Sequence, residues 1–188
     1  MTPSDSLLRE MLDEYQLRRL VHAYCRAVDR GDTAQLRSLY HPDAADNHGG
    51  FAAGGVDDFF AKLDAARPHL RAMQHNITTA NFVISGDFAE GEVYSIAMHT
   101  FRARGRDVDV LIGGRYLDKY EKRDGTWGFT DRMIVTDWAR VSDPSVLDFS
   151  HPIVEGTSRG AMDANDPSYQ FFSLFPGHPA ADAADQAD

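Results

Sequence analysis

The sequence predicts an α+β fold in which helices pack on one face of an antiparallel sheet. Helical periodicity dominates the first 66 residues, and four long runs rich in aromatic and β-branched residues follow between residues 71 and 141. Short turn sequences such as Ser85-Gly86-Asp87 separate the runs, which favours hairpin connections. Helices followed by hairpin-connected strands are typical of α+β domains.

Composition and charge narrow the class of protein. The 188 residues are 43% hydrophobic and 26% charged, which is typical of one soluble domain with some chain left over. The formal net charge of −10 disfavours nucleic-acid and anionic-membrane partners and favours a neutral or hydrophobic ligand. The single cysteine, Cys25, excludes an internal disulfide, and no membrane span or signal segment is evident. We therefore predict a cytoplasmic protein.

The first helix is predicted from residue 4 or 6 to about residue 30, where Gly31 ends it. Apolar residues recur along it at helical spacing, and Tyr24 lies near the middle of that stripe. Asp29 lies on the margin of the stripe in the last turn. An acid there has the wrong sign for the helix dipole, so capping does not explain it.

A second short helix is predicted from Asp32-Thr33 through Tyr40, and His41-Pro42-Asp43 then breaks the chain. The remaining elements are a short strand at 44–48, a helix at 56–66 and four strands at 71–85, 90–102, 107–122 and 127–141. The pattern is lost after residue 142. We therefore predict a domain at 1–142 and an extension at 143–188.

The extension contains one apolar stretch, Tyr169-Gln-Phe-Phe-Ser-Leu-Phe175, which is too apolar to lie free in water. We expect it to pack on the domain or on another subunit. Alanine and aspartate dominate the end of the chain, and this composition predicts disorder over residues 180–188.

The last two strands form the most informative hairpin, around a turn at Asp124-Gly125. Strand side chains alternate between the two faces of a sheet, so each arm has one shared face. The first arm presents Ile112, Gly114, Tyr116, Asp118 and Tyr120, and the second presents Gly128, Thr130, Arg132, Ile134, Thr136 and Trp138. Such a face is too polar for a core and too aromatic for ordinary surface, so we interpret it as a pocket wall.

Asp29 and His75 are the first candidates for chemistry. A carboxylate that accepts from one imidazole nitrogen fixes the tautomer and raises the basicity of the other nitrogen, which gives a general base near neutral pH. The alternative is a solvated acid at a helix end and a hydrogen-bonded histidine in a strand. Spacing alone leaves both interpretations open.

Other polar residues are less specific. Tyr24 either donates a hydrogen bond to a substrate or is a buried core aromatic, whereas Arg132 needs either an acid or an anionic ligand group if it is buried. His48 and His99 are either secondary polar groups or surface residues. A metal site using these histidines with His75 and Asp46 has weak support, because no tight ligand spacing occurs. Glycine-rich phosphate loops are absent, so no cofactor is predicted.

These motifs together resemble the SnoaL-like branch of the NTF2-like superfamily, which includes scytalone dehydratase, hexachlorocyclohexane dehydrochlorinase and bile-acid 7α-dehydratase. The resemblance covers roughly residues 8–142. It rests on Tyr24, Asp29-Arg-Gly-Asp32, Leu39-Tyr-His-Pro-Asp-Ala44, His75, Gly113-Gly-Arg-Tyr116, Arg123-Asp-Gly-Thr-Trp127, Arg132 and Asp137-Trp138.

The resemblance implies a cone-shaped α+β barrel in which a curved sheet and the first helix enclose a pocket. It implies that His75 abstracts a proton, that Asp29 orients it, and that Tyr24 and Arg132 bind or protonate a departing oxygen. Residues that would shape the substrate pocket are His48, Met73, His99, Tyr116, Ile134 and Trp138. A homodimer or homotrimer is usual in the family.

The expected function is therefore a cofactor-independent lyase that acts on a bulky hydrophobic aromatic or alicyclic molecule. Water, halide, or formaldehyde from a lignin-derived diaryl compound could be the leaving group. An isomerase or polyketide-type cyclase would use the same base without a leaving group. A non-catalytic ligand-binding or oxygenase-associated subunit is the third possibility, and it predicts that the four candidate catalytic residues do not converge.

Overall fold

A computed structural model of the chain describes residues 3–172. Among these residues, no helix is both long enough and apolar enough to cross a lipid bilayer. The helices are α1 (Pro3–Arg30), α2 (Thr33–Ser38), α3 (Val56–Ala66) and α4 (Pro167–Phe171), with a 3₁₀ turn at Arg67–His69. The strands are β1 (Tyr40–Asn47), β2 (Ala53–Gly55), β3 (Leu70–Ser85), β4 (Phe88–Ala103), β5 (Arg106–Arg123) and β6 (Thr126–Ser142).

The strands form one curved, open sheet in the order β2-β1-β6-β5-β4-β3, which confirms the predicted α+β class. Strands β3 to β6 pair antiparallel with their neighbours in the chain. Strand β1 pairs with β6 in the parallel direction, so the sheet is mixed, a feature that the sequence did not predict. Helix α1 packs against β3 and β6 and closes the concave side.

The region around β1 differs in detail from the prediction. Helix α2 ends at Ser38, and the strand already begins at Tyr40 instead of after Pro42. The pairing of β1 with β6 is irregular between Tyr40 and Ala45. Proline has no N–H to donate to a strand ladder, so Pro42 is consistent with the irregularity at this point. The short strand β2 was not predicted.

The core lies between α1, α3 and the concave face of the sheet. The predicted stripe of α1 is buried, and the core residues of α3 pack beside it. Fully burying one large apolar side chain contributes about 1.5–3 kcal/mol, so this shared face accounts for much of the packing energy. The central members are Leu17, Val21, Tyr24, Val28, Phe59, Phe60, Val93 and Phe129.

The β5–β6 hairpin turns where it was predicted to turn. Asp124 and Gly125 both have positive φ angles, 52° and 80°, as a two-residue primed turn requires. In β5 the predicted inner face is also observed, because Tyr116 and Asp118 are buried on the side that carries α1.

Strand β6 contains two bulges, at Thr130 and Asp137, where two residues of β6 oppose one position of β5. Each bulge moves the following side chains to the other face. The first bulge therefore puts Phe129, and not the predicted Gly128, on the inner face that Arg132 and Ile134 share. Beyond the second bulge, Trp138 pairs with Gly113 on the outer face and is 44% exposed. The prediction that Trp138 shares the pocket face is wrong, since the alternation of side chains is broken at Asp137.

One part of the extension packs on the end of α1, whereas Phe171 of the predicted packing stretch is 84% exposed. Tyr169 is buried under the Arg26 guanidinium, whose carbon lies 5.3 Å from the ring centroid. Asp166 is also buried and pairs with Arg30, with an Oδ1–Nε distance of 3.3 Å. Leu174, Phe175 and the predicted disordered tail at 180–188 lie outside the described residues.

Gly113 gives a test of the second bulge. The Trp138 indole lies so close that a Cβ added at Gly113 would be 2.1 Å from it. We expect Gly113→Ala to lower the free energy of unfolding by about 1–3 kcal/mol because the indole must move. In a Trp138→Ala background the same change should cost less than about 0.5 kcal/mol. Equal costs in urea unfolding of the two backgrounds would contradict this placement of Trp138.

Candidate active site

A cavity of about 390 Å³ lies between α1, α3 and the concave face of the sheet. Its walls are mostly apolar, and a small number of polar side chains point into it. The apolar lining includes Val28, Phe59, Leu63, Met73, Ile112 and Ile134, and the polar lining includes Tyr24, His48, His75, Ser95, His99 and Tyr116. An apolar cavity with a few converging polar groups is the usual form of a small-molecule site.

Asp29 and His75 meet at the edge of this cavity. Asp29 Oδ1 lies 2.6 Å from His75 Nδ1, and Asp29 Oδ2 accepts from the His75 backbone N–H at 3.0 Å. Both side chains are about nine-tenths buried. These two contacts explain why an acid lies in the last turn of α1, because the carboxylate binds both the backbone of β3 and the ring of His75.

The contact also sets the tautomer of His75. An ionised Asp29 accepts a hydrogen bond from Nδ1 when that nitrogen carries the proton. The lone pair of the neutral ring is then on Nε2. No described residue hydrogen-bonds to this Nε2, and the His75 side chain lines the cavity. A lone pair directed into an apolar cavity can accept a proton from a bound molecule.

His99 is the neighbour of His75 on β4. The two ring centroids are 5.2 Å apart in an edge-on arrangement, and the His99 ring stacks on Phe101. Burial is the main cause that lowers the pKa of His99 to about 4, and the nearby His75 and His48 contribute to the same shift. His99 is therefore neutral near pH 7.

A second histidine and carboxylate pair lies in the same cavity. His48 Nδ1 contacts Asp46 Oδ1, and the other carboxylate oxygen accepts from the Tyr40 hydroxyl at 2.9 Å. The His48 ring stacks on Phe59 with 4.5 Å between centroids. Sequence reasoning considered Asp46 only as a metal ligand and missed this pair. The signal was present, because residues two apart on a strand share a face.

Tyr24 and Tyr116 form a buried aromatic wall, with their ring centroids 5.9 Å apart. Burial raises the pKa of Tyr24 well above its usual value, although the nearby Arg132 opposes that shift. The pKa of Tyr116 is raised for the same reason. Both hydroxyl groups therefore remain protonated and can donate hydrogen bonds to a ligand oxygen.

Arg132 is not among the residues that line the cavity. It is fully buried beneath the aromatic wall, where its Nε and Nη2 each donate to Asp118 at 2.7 Å. Its guanidinium carbon lies 4.1 Å from the Tyr24 ring centroid and 4.4 Å from that of Tyr116. The expectation that Arg132 contacts a departing oxygen is therefore wrong, because its Nε and Nη2 donate to Asp118 on the adjacent strand.

The structure thus brings together most of the predicted site. Among the predicted positions, Arg132 and Trp138 lie elsewhere, and the others line the cavity or, for Asp29, orient a lining residue. Within residues 3–172 there is no group of three or more histidine, cysteine, aspartate or glutamate side chains arranged to hold a metal ion. The residues of the cavity lining are suited to acid and base chemistry.

Residues 9–133 match the model of the SnoaL-like domain, so the chain belongs to the SnoaL-like family. None of the curated proteins compared with the chain matches it.

Solved structures share the fold. A scytalone-dehydratase-like protein from Novosphingobium aromaticivorans is similar over 77% of this chain and 93% of its own, with 22% identity and a TM-score of 0.63. A hexachlorocyclohexane dehydrochlorinase, LinA type 2, matches over 77% and 97%, with 19% identity and a TM-score of 0.68. The LinA type 3 enzyme from Novosphingobium barchaimii matches over 75% and 97%, with 18% identity and a TM-score of 0.67.

The Arg132–Asp118 pair supports a stability prediction. Arg132→Met leaves Asp118 buried and without its counter-charge, so we expect the free energy of unfolding to fall by about 3–5 kcal/mol. Combining it with Asp118→Leu removes the orphaned charge and should restore a large part of that loss. Denaturant unfolding of both variants measures the effect, and a single variant within about 1 kcal/mol of the parent protein would contradict it.

His99 supports a prediction about acid stability. The unfolded chain binds a proton at His99 near pH 6.5, whereas the folded protein does so only near pH 4. Lowering the pH through this window therefore removes up to about 3 kcal/mol of stability, which is fully present above pH 6.5. We expect urea unfolding of His99→Gln at pH 7 and pH 4.5 to show a smaller fall than the parent protein. Parallel losses in both proteins would refute the assignment.

Proposed function

We propose that this protein is a cofactor-independent lyase in which His75 removes a proton from a carbon atom of the substrate. The observation that carries the proposal is the Asp29–His75 pair, whose free Nε2 is directed into an apolar cavity. The buried carboxylate stabilises the imidazolium that forms when His75 takes the proton. The acid and the histidine together provide what a general base needs near neutral pH.

The cavity favours a bulky and largely hydrophobic substrate, aromatic or alicyclic. Aliphatic and aromatic side chains make up most of its wall, and no charged guanidinium or ammonium group is among the lining residues that the structure describes. An anionic substrate would find no counter-charge there. A molecule with one or two polar groups on an apolar skeleton matches both parts of the lining.

The tyrosines are proposed to bind the substrate oxygen. Tyr24 and Tyr116 keep their hydroxyl protons, so they can stabilise the negative charge that develops on an oxygen as the C–H bond breaks. Arg132 acts indirectly in this proposal, because its guanidinium supports both rings from behind. Substrate contact by His48, Met73, His99 and Ile134 follows from their place in the wall.

The relatives favour an elimination. Two of the similar structures are dehydrochlorinases and one is a scytalone-dehydratase-like protein. The first name describes elimination of hydrogen chloride, and the second describes elimination of water. Water, halide and formaldehyde from a lignin-derived diaryl compound are the leaving groups that the same base could serve. The proposed step is complete with protein side chains alone.

An isomerase or cyclase is the second candidate. Two neutral tyrosine donors beside a base are also what an enol intermediate needs, and such a reaction has no leaving group. Product mass separates the two, because isomerisation conserves it. Three of the four candidate catalytic residues, Tyr24, Asp29 and His75, meet at one cavity, which disfavours the non-catalytic ligand-binding or oxygenase-associated subunit.

A homo-oligomer remains our proposal for the assembly, as a dimer or trimer. Several large apolar side chains are exposed on the convex sheet face and on the start of α1, where a second copy would cover them. They include Leu7, Leu8, Met11, Val83 and Phe88.

His75→Ala and Asp29→Asn test the proposed base. Proton abstraction by a placed base contributes roughly 10² to 10⁴-fold, so we expect His75→Ala to lower kcat by about that factor on aromatic β-hydroxy ketones. Asp29→Asn should lower it as well, since an amide cannot stabilise the imidazolium. Mass spectrometry of the products measures the elimination.

The matched control is His22→Ala, which removes an exposed histidine of α1 outside the cavity. It should turn over at the rate of the parent protein. Turnover close to that of the parent by both site variants, with folding verified by circular dichroism, would end the lyase proposal.

A further inference from the structure

His48 faces the same cavity as His75 but is held by a different carboxylate. Asp46 is only 1% exposed, and its two oxygens contact the His48 Nδ1 and the Tyr40 hydroxyl. No described residue hydrogen-bonds to the His48 Nε2. The site therefore contains two imidazoles with the same arrangement. In each, Nδ1 contacts a buried carboxylate and Nε2 has no hydrogen-bond partner among the described residues.

We propose that His48 is the general acid of the elimination, that Asp46 positions it, and that the leaving group is consequently an oxygen rather than a halide. This inference rests on the proposed function and goes beyond it. The base lies on β3 and the acid directly follows β1, so they can serve two different atoms of one substrate.

The need for an acid depends on the leaving group. Chloride departs as a stable anion and requires no proton. Hydroxide is a far stronger base, and its departure from carbon becomes fast only when a proton reaches the oxygen as the C–O bond breaks. A second histidine with its own buried carboxylate is thus useful for loss of water and unnecessary for loss of chloride.

The other polar residues of the cavity are poorer proton donors. Raised pKa values keep Tyr24 and Tyr116 protonated, and donation would leave a phenolate in a buried site. The pKa of His99, about 4, leaves that ring without a proton to give near pH 7. Among the described lining residues, His48 and His75 are the two rings backed by an acid, and His75 serves as the base.

The proposed reaction balances with these two rings. His75 Nε2 takes the proton from carbon, and the electron pair of that C–H bond forms the new C=C bond. The C–O bond breaks with its electrons on oxygen, which takes the proton from His48 Nε2 and leaves as water. His75 ends protonated and His48 neutral. The His48 side chain is 20% exposed, so exchange with solvent can restore it.

Two probes with one product test the leaving group. β-Hydroxydihydrochalcone and β-chlorodihydrochalcone both give chalcone, by loss of water and of chloride respectively. His48→Phe keeps the ring that stacks on Phe59 and removes the proton. We expect its chalcone formation to fall by about 100-fold or more with the hydroxy compound and by less than about 5-fold with the chloro compound, after subtraction of the buffer rate.

His99→Phe is the matched control, since it makes the same substitution in the same cavity at a ring without a carboxylate partner. It should change both rates by a similar factor. Asp46→Asn, as a positioning change, should lower only the hydroxy rate, and ¹⁵N NMR of His48 should show an altered tautomer. This shift in tautomer separates positioning from a loss of folding.

The outcomes are distinct. A selective loss of the hydroxy rate in His48→Phe supports the inference. Equal losses with both probes, no loss with either, or a parent protein that turns over only the chloro compound would overturn it while the lyase proposal stands. A parent protein that releases chalcone from neither probe would overturn the lyase proposal itself.

Discussion

The cavity depends on one buried charge pair beneath its aromatic wall. Arg132 and Asp118 are fully buried on adjacent strands and form two hydrogen bonds of 2.7 Å. The guanidinium lies close to the rings of Tyr24 and Tyr116, so two residues that line the cavity stack on it. Such a pair adds little net stability compared with apolar residues, but losing one partner leaves an uncompensated charge. It therefore constrains which side chains can form the wall.

The three histidines of the cavity show how environment separates one residue type into different states. His75 and His48 each contact a buried carboxylate, whereas burial lowers the pKa of His99. Histidines with different partners therefore lie within one small volume. The proposed chemistry follows from these partners more than from the histidines themselves.

Several parts of this arrangement were predictable from the sequence. The α+β class, the positive φ angles of Asp124 and Gly125, and the inner face of β5 follow from local rules of periodicity and turn geometry. The Asp29–His75 contact was a hypothesis that spacing alone left open, and the family resemblance strengthened it. The Asp46–His48 pair was overlooked although its spacing was visible, because the two residues were considered together only as ligands of a metal site.

The sequence by itself determined the local elements and several of the residues that line the cavity, because hydrophobic period and turn chemistry act over a few neighbours. Only the tertiary structure decided that Arg132 is paired with Asp118 and that Trp138 faces outward. Both depend on strand register, which two bulges in β6 shift and which no local pattern in that strand records. Pairing across strands is a long-range choice, so it becomes defined only when the whole sheet has formed.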